Sequence, residues 1–243
     1  MKLWAHQAEA VKFGLKNMVP RCGPPRGVVF AHEMGLGKTL SAVALIAELK
    51  RTGKDIYPLV LAAPLSMLQH WKRTFEAYPA FKDTAEVIHL DNKDRLPMYK
   101  CQVWIMTYAG LEQQFKDIVL KRAKMFVVDE ASKLKKTKSL FTKIMTKLAK
   151  QCAYRLLLTA TPIENSAQEF HTLMNVAHPG FGGSAKSFKH LYDTPLRQGV
   201  KEFATPQQQL FARKAAMALY FMTKPSLLRQ SNPSAPQEAP LVT

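Results

Sequence analysis

The stretch Gly27–Thr39, with the sequence GVVFAHEMGLGKT, joins a short apolar run to a glycine-bearing turn and then to a helical pattern. The apolar run predicts a buried strand, and the helix is predicted from about Lys38 to a stop near Gly53. A glycine-rich turn in this position lets backbone N–H groups face a polyphosphate, helped by the positive end of the helix. The stretch therefore predicts a nucleotide-phosphate loop.

Individual residues of this loop have distinct expected roles. The Lys38 ammonium would reach the β- and γ-phosphates of ATP, and the Thr39 hydroxyl would bind Mg²⁺. The strict pattern GxxxxGK[ST] requires glycine at position 32, where the chain has His32. We predict that ATP is bound by Met34, Gly35, Leu36, Gly37, Lys38 and Thr39.

A second motif ends in two adjacent carboxylates. The apolar run Met125–Val128 predicts a strand, and Asp129 and Glu130 follow it directly. Ligand sites of α/β proteins form at the carboxyl ends of strands, so these acids are placed to meet the phosphate loop. We predict that Asp129 holds Mg²⁺ and that Glu130 orients and deprotonates the attacking water. Lys38, Asp129 and Glu130 are thus the expected catalytic residues.

Further apolar runs alternate with helical patterns through the first three quarters of the chain. The runs are Leu59–Ala63, Glu86–Leu90, Gln102–Met106 and Arg155–Leu158. Short continuous apolar runs indicate strands buried on both faces, and their alternation with helices predicts a parallel α/β sheet. We expect an α/β domain over 1–180, a helical extension over 181–230 and a proline-rich, disordered linker over 231–243.

The charge balance indicates a polyanionic partner. Thirty-five Lys and Arg against 18 Asp and Glu give a net charge of +17. Residues 116–155 contain 12 basic and 3 acidic side chains, which favours a polyanion but also fits an ordinary solvated face. No apolar run reaches membrane-spanning length and no secretory signal begins the chain. We expect no membrane partner and a cytoplasmic or nucleoid-associated protein, nuclear if eukaryotic.

Seven segments in order resemble the first RecA-like lobe of superfamily II helicase-like ATPases, specifically the Swi/Snf-type translocases. Glu33–Thr39 resembles that family's DEMGLGKT loop, which carries Asp at the position of His32. Asp129–Lys135 resembles DEAHRLKN, with Ser132 in place of His. The other five segments are Leu3–Gln7, Ala63–Trp71, Met106–Leu111, Leu158–Asn165 and Lys224–Arg229. These segments resemble those of DEAD-box RNA helicases less closely.

This resemblance implies further roles. Gln7 would recognise adenine, and Thr159, Ala160 and Thr161 would couple the nucleotide state to the nucleic acid. A motor that ignores sequence needs contacts to phosphates, and double-stranded DNA is the expected partner. The residues implied as DNA-facing are Pro64, Ser66, Thr107, Tyr108, Lys133 and Lys135. Tyr108 and the threonines could instead cap helices, Gln7 could merely pack, and Trp71 is expected in the core.

The family's active site lies between two RecA-like lobes, and no segment here resembles the second lobe's GRxxRxGQ-like signature. We therefore expect that lobe to be absent from this chain and to be supplied in cis or in trans. The 243 residues alone are then expected to hydrolyse ATP weakly or not at all, because the second lobe supplies an arginine finger. Two alternatives stay open: a non-catalytic ATP- or DNA-binding regulatory module, and a lobe of an RNA helicase.

Overall fold

A parallel sheet of seven strands forms the centre of the molecule, in the order β3-β4-β2-β5-β6-β1-β7. The structure is a computed structural model that describes residues 3–20, 27–81, 87–89, 103–135, 139–161 and 167–231. Each pair of neighbouring strands is parallel. The strands are β1 (Gly27–His32), β2 (Leu59–Ala62), β3 (Val87–His89), β4 (Val103–Met106), β5 (Met125–Val128), β6 (Tyr154–Thr159) and β7 (Leu227–Gln230).

Helices cover both faces of the sheet. One layer is α1 (Ala5–Met18), α2 (Lys38–Arg51) and α3 (Leu68–Ala77), and the other is α4 (Tyr108–Leu120), α5 (Leu140–Gln151) and α6 (Ala167–Ala177). Successive side chains of a strand point to opposite faces, so every strand residue needs a helix above or below it.

Strand β1 shows this alternation clearly. Val28 and Phe30 pack in the first layer, whereas Val29 packs in the second. Burial on both sides explains why the strands read as continuous apolar runs. The predicted parallel sheet flanked by helices is therefore confirmed.

The region after Gly180 is helical, as predicted, as far as Thr223. It contains α7 (Ala185–Phe188), α8 (Thr194–Gly199) and α9 (Pro206–Thr223). The predicted helical extension over 181–230 also contains a strand, since Leu227–Gln230 form β7 and pair with β1. Apart from Ser231, the expected linker lies outside the described residues. Among the described helices, none is both long enough and apolar enough to cross a membrane.

Helix α9 buries little of its surface. Only Ala212 and Ala215 are buried, while the aromatic and aliphatic side chains on its other faces stay exposed. Phe203, just before the helix, is 89% exposed and Phe221 is 62% exposed. Phe188 of α7 is nevertheless fully buried in the second layer, and Leu219 and Met222 of α9 pack against that layer, so large apolar side chains anchor the extension while others stay exposed.

Arg155 on β6 ties two helix ends to the sheet. Its side chain is buried, and its Nε donates to the carbonyl of Ala177 at the end of α6. One terminal nitrogen donates to the carbonyls of Ala149 and Cys152, at the end of α5. The last carbonyls of a helix have no intrahelical partner, so one guanidinium satisfies groups that burial would otherwise leave unpaired.

We predict that Arg155→Met lowers the free energy of unfolding by about 3 kcal/mol or more, because each buried carbonyl left unpaired costs about 1–3 kcal/mol. Urea unfolding monitored by circular dichroism measures this. The matched control is Arg51→Met, since Arg51 pairs with Glu48 on the surface and is expected to change stability by less than about 0.5 kcal/mol. Equal effects of the two substitutions would contradict the capping role.

Candidate functional site

One edge of the sheet gathers the predicted site residues. Since the strands are parallel, whatever follows each strand emerges at the same edge. Along this edge lie, in order, residues 107–108 after β4, 64–66 after β2, 129–130 after β5, 159–161 at the end of β6, and the loop 33–37 after β1. The acids are thus two strands away from the loop, with β6 between them.

The loop between β1 and α2 depends on two glycines. Gly35 and Gly37 have φ values of 84° and 72°, in the left-handed region that favours glycine. A Cβ on Gly35 would meet nothing within 4 Å, so this part of the loop faces open space. A Cβ on Gly37 would meet Nε2 of Gln7, so any other residue here would displace the Gln7 side chain.

Lys38 curls back over the loop that precedes it. Its Nζ donates to the carbonyl of His32 at 3.0 Å and to that of Glu33 at 3.3 Å. One turn further along α2, the buried Ser41 donates from its hydroxyl to the carbonyl of Gly37. The helix therefore begins directly at the loop, with the Lys38 ammonium on the loop side. Thr39 follows in the first turn and is half-buried.

The start of α1 packs against the same loop. Gln7 is 7% exposed, and its Oε1 accepts a hydrogen bond from the backbone N–H of Trp4 at 3.0 Å. A ring nitrogen of His6 lies 3.0 Å from the carbonyl of Leu36. Gln7 therefore packs beside the loop after β1, and its amide oxygen also caps α1.

Gln230 joins β7 to the loop after β1 and to α1 by hydrogen bonds, and the sequence reasoning missed these contacts. Its carbonyl accepts from the N–H of Glu33 at 3.1 Å. Its Nε2 donates to the carbonyl of His6 at 3.0 Å and to the carboxylate of Glu9 at 3.1 Å. No sequence signal indicated these contacts, because they join residues at opposite ends of the chain.

His32 is a buried imidazole at the end of β1. It is fully buried, its ring stacks on Phe30, and neither ring nitrogen has a hydrogen-bond partner. Burial, followed by the nearby charges of Lys38 and His6, lowers the pKa of His32 to about 4. The side chain is therefore neutral near pH 7. It supplies no negative charge to Lys38, unlike the Asp that the resemblance leads one to expect here.

Asp129 is held from three directions. The carboxylate is 5% exposed, and its Oδ2 accepts from Nε1 of Trp71 at 2.8 Å. Its Oδ1 accepts from the N–H of Glu130 at 3.0 Å, and its carbonyl accepts from the hydroxyl of Tyr108 at 2.8 Å. Glu130 has a φ of 46°, which is uncommon for a residue other than glycine.

Trp71 lies in the core, as expected, but it also contacts the predicted metal-holding acid. The sequence contained a usable signal, since a buried indole N–H normally needs an acceptor. What the sequence could not supply was the identity of that acceptor. The packing of α3 against the sheet decides which residue accepts this hydrogen bond.

The residues predicted to face DNA differ in their exposure and in whether their side chains are already used within the fold. Ser66 and Lys133 are exposed and Pro64 is half-buried. Thr107 accepts from the N–H of Gly110 and caps α4, and the Tyr108 hydroxyl is used by Asp129. The side chain of Lys135 lies outside the described residues.

The predicted coupling segment forms a tight turn after β6. Thr159 is fully buried, its hydroxyl donates to the carbonyl of Thr161 at 3.2 Å, and its oxygen accepts from the N–H of Thr161. Ala160, between them, is half-buried. Residues 162–165, the remainder of the motif that resembles the family's, lie outside the described part of the chain.

The basic stretch 116–155 is not one surface. Lys124 precedes β5 at the amino edge of the sheet, away from the loops described above, and pairs with Asp55. Arg155 is buried beneath α5 and α6. Of the basic residues whose side chains are described, Lys133 lies directly after β5 at the carboxyl edge. The density of charge in the sequence therefore overstates the density at the site.

The donor set suits a magnesium ion held together with a nucleotide. Within the described residues, no group of three or more His, Cys, Asp or Glu could hold a metal by itself. Mg²⁺ characteristically uses one or two protein carboxylates together with substrate phosphates. The Asp129 carboxylate and the Thr39 hydroxyl, both oxygen donors, fit that requirement.

Comparison with known proteins matches this chain to described families and structures. The SNF2-related domain family matches residues 6–240. The DNA repair and recombination protein RAD54B of Gallus gallus is 29% identical over 238 residues, which cover 93% of this chain and 25% of that protein. The chromatin structure-remodeling complex subunit snf21 of Schizosaccharomyces pombe is 30% identical over 243 residues, covering 93% and 19%.

Among solved structures, the Sulfolobus solfataricus SWI2/SNF2 ATPase core in complex with dsDNA superposes with a TM-score of 0.76 at 26% identity. The match covers 95% of this chain and 45% of that one. The chain thus spans about a quarter or less of the length of these curated relatives and under half of the solved core. Its fold, its motifs and these matches agree: the chain belongs to the SNF2-related family and forms the first RecA-like lobe of a Swi/Snf helicase-like ATPase.

Proposed function

We propose that this chain is the ATP-binding lobe of a DNA-dependent ATPase, which moves along double-stranded DNA when joined to a second RecA-like lobe. One observation carries the proposal: the loop with Lys38 and the pair Asp129–Glu130 share one sheet edge, separated only by β6. A triphosphate that contacts the loop is then within reach of the acids. The solved relative with bound dsDNA supports DNA as the polymer.

The nucleotide would be held by the loop and the start of α2. Gly35 faces open space, and Gly37 is the residue from which α2 begins, where the backbone N–H groups of a helix N-terminus favour anions. Lys38 would exchange its two loop carbonyls for phosphate oxygens. Gln7 lies against Gly37 and would recognise the adenine at this end of the pocket.

The metal site would combine Thr39 and Asp129. When bound, Mg²⁺ supplies positive charge that polarises the terminal phosphate. Asp129 is held in place by neighbours on each carboxylate oxygen, so the chain need not reorder it on binding. Glu130, the next residue, would orient the attacking water and accept its proton.

Nucleic acid would run past the half of the edge that carries Ser66, Thr107 and Lys133. Contacts from such residues to phosphates position a polymer without reading its sequence. The Thr159–Thr161 turn lies on β6, between the acids and the phosphate loop, and would report the state of the nucleotide to its surroundings. Such a protein acts where DNA is, which is the nucleus in a eukaryote.

We predict that Lys38→Ala lowers Mg-ATP affinity about 100-fold or more, because a charge-assisted hydrogen bond to phosphate is lost. Isothermal titration calorimetry measures this affinity. Lys16→Ala is the matched control, since Lys16 is exposed near the far end of α1. Equal affinity of Lys38→Ala and the unmodified chain would rule out the phosphate site.

We predict that affinity for duplex DNA falls steeply with salt, with a slope of about −0.9 per phosphate contact in a plot of log K against log salt. Lys133→Ala should reduce the slope by about one unit. Lys150→Ala should leave it unchanged, because Lys150 lies at the end of α5, away from the carboxyl edge. An affinity that does not change with salt would argue against this interface. Tighter binding of single-stranded RNA than of duplex DNA would favour the RNA helicase alternative.

We predict that the 243-residue chain alone turns over ATP slowly with or without DNA, since an arginine finger contributes about 10³–10⁵ in rate. Addition of a second RecA-like lobe from a relative should raise turnover, and Glu130→Gln should abolish the gain. A colorimetric phosphate-release assay follows both. Fast turnover by the chain alone would refute the need for a second lobe, whereas no gain with any second lobe would favour a regulatory module.

A further inference from the structure

We propose that Trp71 and Tyr108 are positioning residues that hold Asp129 and the peptide leading to Glu130, and that their hydrogen bonds set how strongly Mg²⁺ tightens nucleotide binding. The inference rests on the proposed function, because it needs Asp129 to hold the metal. Neither residue would touch the nucleotide. Each would act through Asp129.

Trp71 fixes the carboxylate itself. Its indole is fully buried in the layer of α1–α3, and its Nε1 donates to Oδ2 of Asp129 at 2.8 Å. The other oxygen, Oδ1, accepts from the N–H of Glu130 at 3.0 Å. With one donor on each oxygen the carboxylate cannot rotate freely, yet each oxygen keeps a second acceptor position for a metal or its water.

Tyr108 fixes the backbone of the same residue from the other helix layer. Its hydroxyl donates to the carbonyl of Asp129 at 2.8 Å. The peptide that follows leads into Glu130, whose left-handed backbone the turn must maintain. The N–H of Lys133 secures that turn on its far side by donating to the carbonyl of Glu130.

Two other residues show that a buried tryptophan N–H or tyrosine O–H of this chain need not have a hydrogen-bond acceptor. Trp104 on β4 is 2% exposed, and its Nε1 has no hydrogen-bond partner. The hydroxyl of Tyr57 is likewise buried without a partner. The chain therefore contains a buried tryptophan and a buried tyrosine whose polar atoms contact no acid, and these serve as matched controls.

Removal of a hydrogen-bond partner of a metal-binding residue typically lowers metal affinity or activity by about 10–100-fold. Trp71→Phe and Tyr108→Phe remove one donor each while retaining an aromatic ring. The controls Trp104→Phe and Tyr57→Phe remove the same chemical groups where no acid accepts from them. All four variants are made in the 243-residue chain.

The experiment measures the ATP dissociation constant by calorimetry in Mg²⁺ and again in EDTA. The ratio of the two constants is the metal-dependent gain. We expect Trp71→Phe to reduce this gain about tenfold or more and Tyr108→Phe to reduce it severalfold, with affinity in EDTA unchanged. Trp104→Phe and Tyr57→Phe should keep the gain of the unmodified chain. A purely structural role for Trp71 would lower both affinities together.

The outcomes separate the inference from the function beneath it. If the unmodified chain shows a metal-dependent gain and neither Trp71→Phe nor Tyr108→Phe reduces it, the inference is overturned and the proposed function stands. If the unmodified chain shows no gain at all, both fail. Circular dichroism checks the fold of each variant. Should Trp71→Phe not fold, Tyr108→Phe decides the matter, because Tyr108 is only half-buried.

Discussion

Every strand of the sheet runs parallel to its neighbours, so each loop that follows a strand emerges at the same edge. The loops of five strands, far apart in sequence, therefore meet at that edge. The order of the strands then sets the order of the chemistry. From β1 to β4 the edge carries, in order, the predicted phosphate loop, the predicted coupling turn, the two acids and the segments that resemble DNA-facing ones. In the proposed function, β5 and β6 lie between the phosphate loop and strands β2 and β4, whose loops would contact DNA.

Much of this arrangement could be predicted from the sequence, because it depends on local rules. A continuous apolar run bounded by a turn is a buried strand, and Gly35 and Gly37 mark a loop whose backbone other residues cannot adopt. The two acids after β5 followed from the same reasoning. The resemblance to Swi/Snf-type ATPases supplied the order of seven segments, and the family match over residues 6–240 agrees with it.

The rest depends on contacts between distant segments, which no local pattern encodes. Lys224–Arg229 resembles one of the family's segments, but the pairing of Leu227–Gln230 with β1 as a strand was not foreseen. Arg155 contributed to a basic stretch in the sequence yet lies buried, where it caps two helices. Trp71 was expected in the core, and only the position of α3 beside β5 shows that it also donates to Asp129. The burial of apolar runs could be predicted from local pattern, whereas the burial of Arg155 and the partners of individual side chains could not.

The place of β1 between β6 and β7 has a consequence for biosynthesis. Both neighbours of β1 are translated long after it, and all six of its residues are buried only when they arrive. On the ribosome, the strand that carries the phosphate loop therefore waits with both hydrogen-bonding edges open. Unpaired apolar edges invite association with other chains, so this stage of synthesis is where the nascent lobe most needs protection.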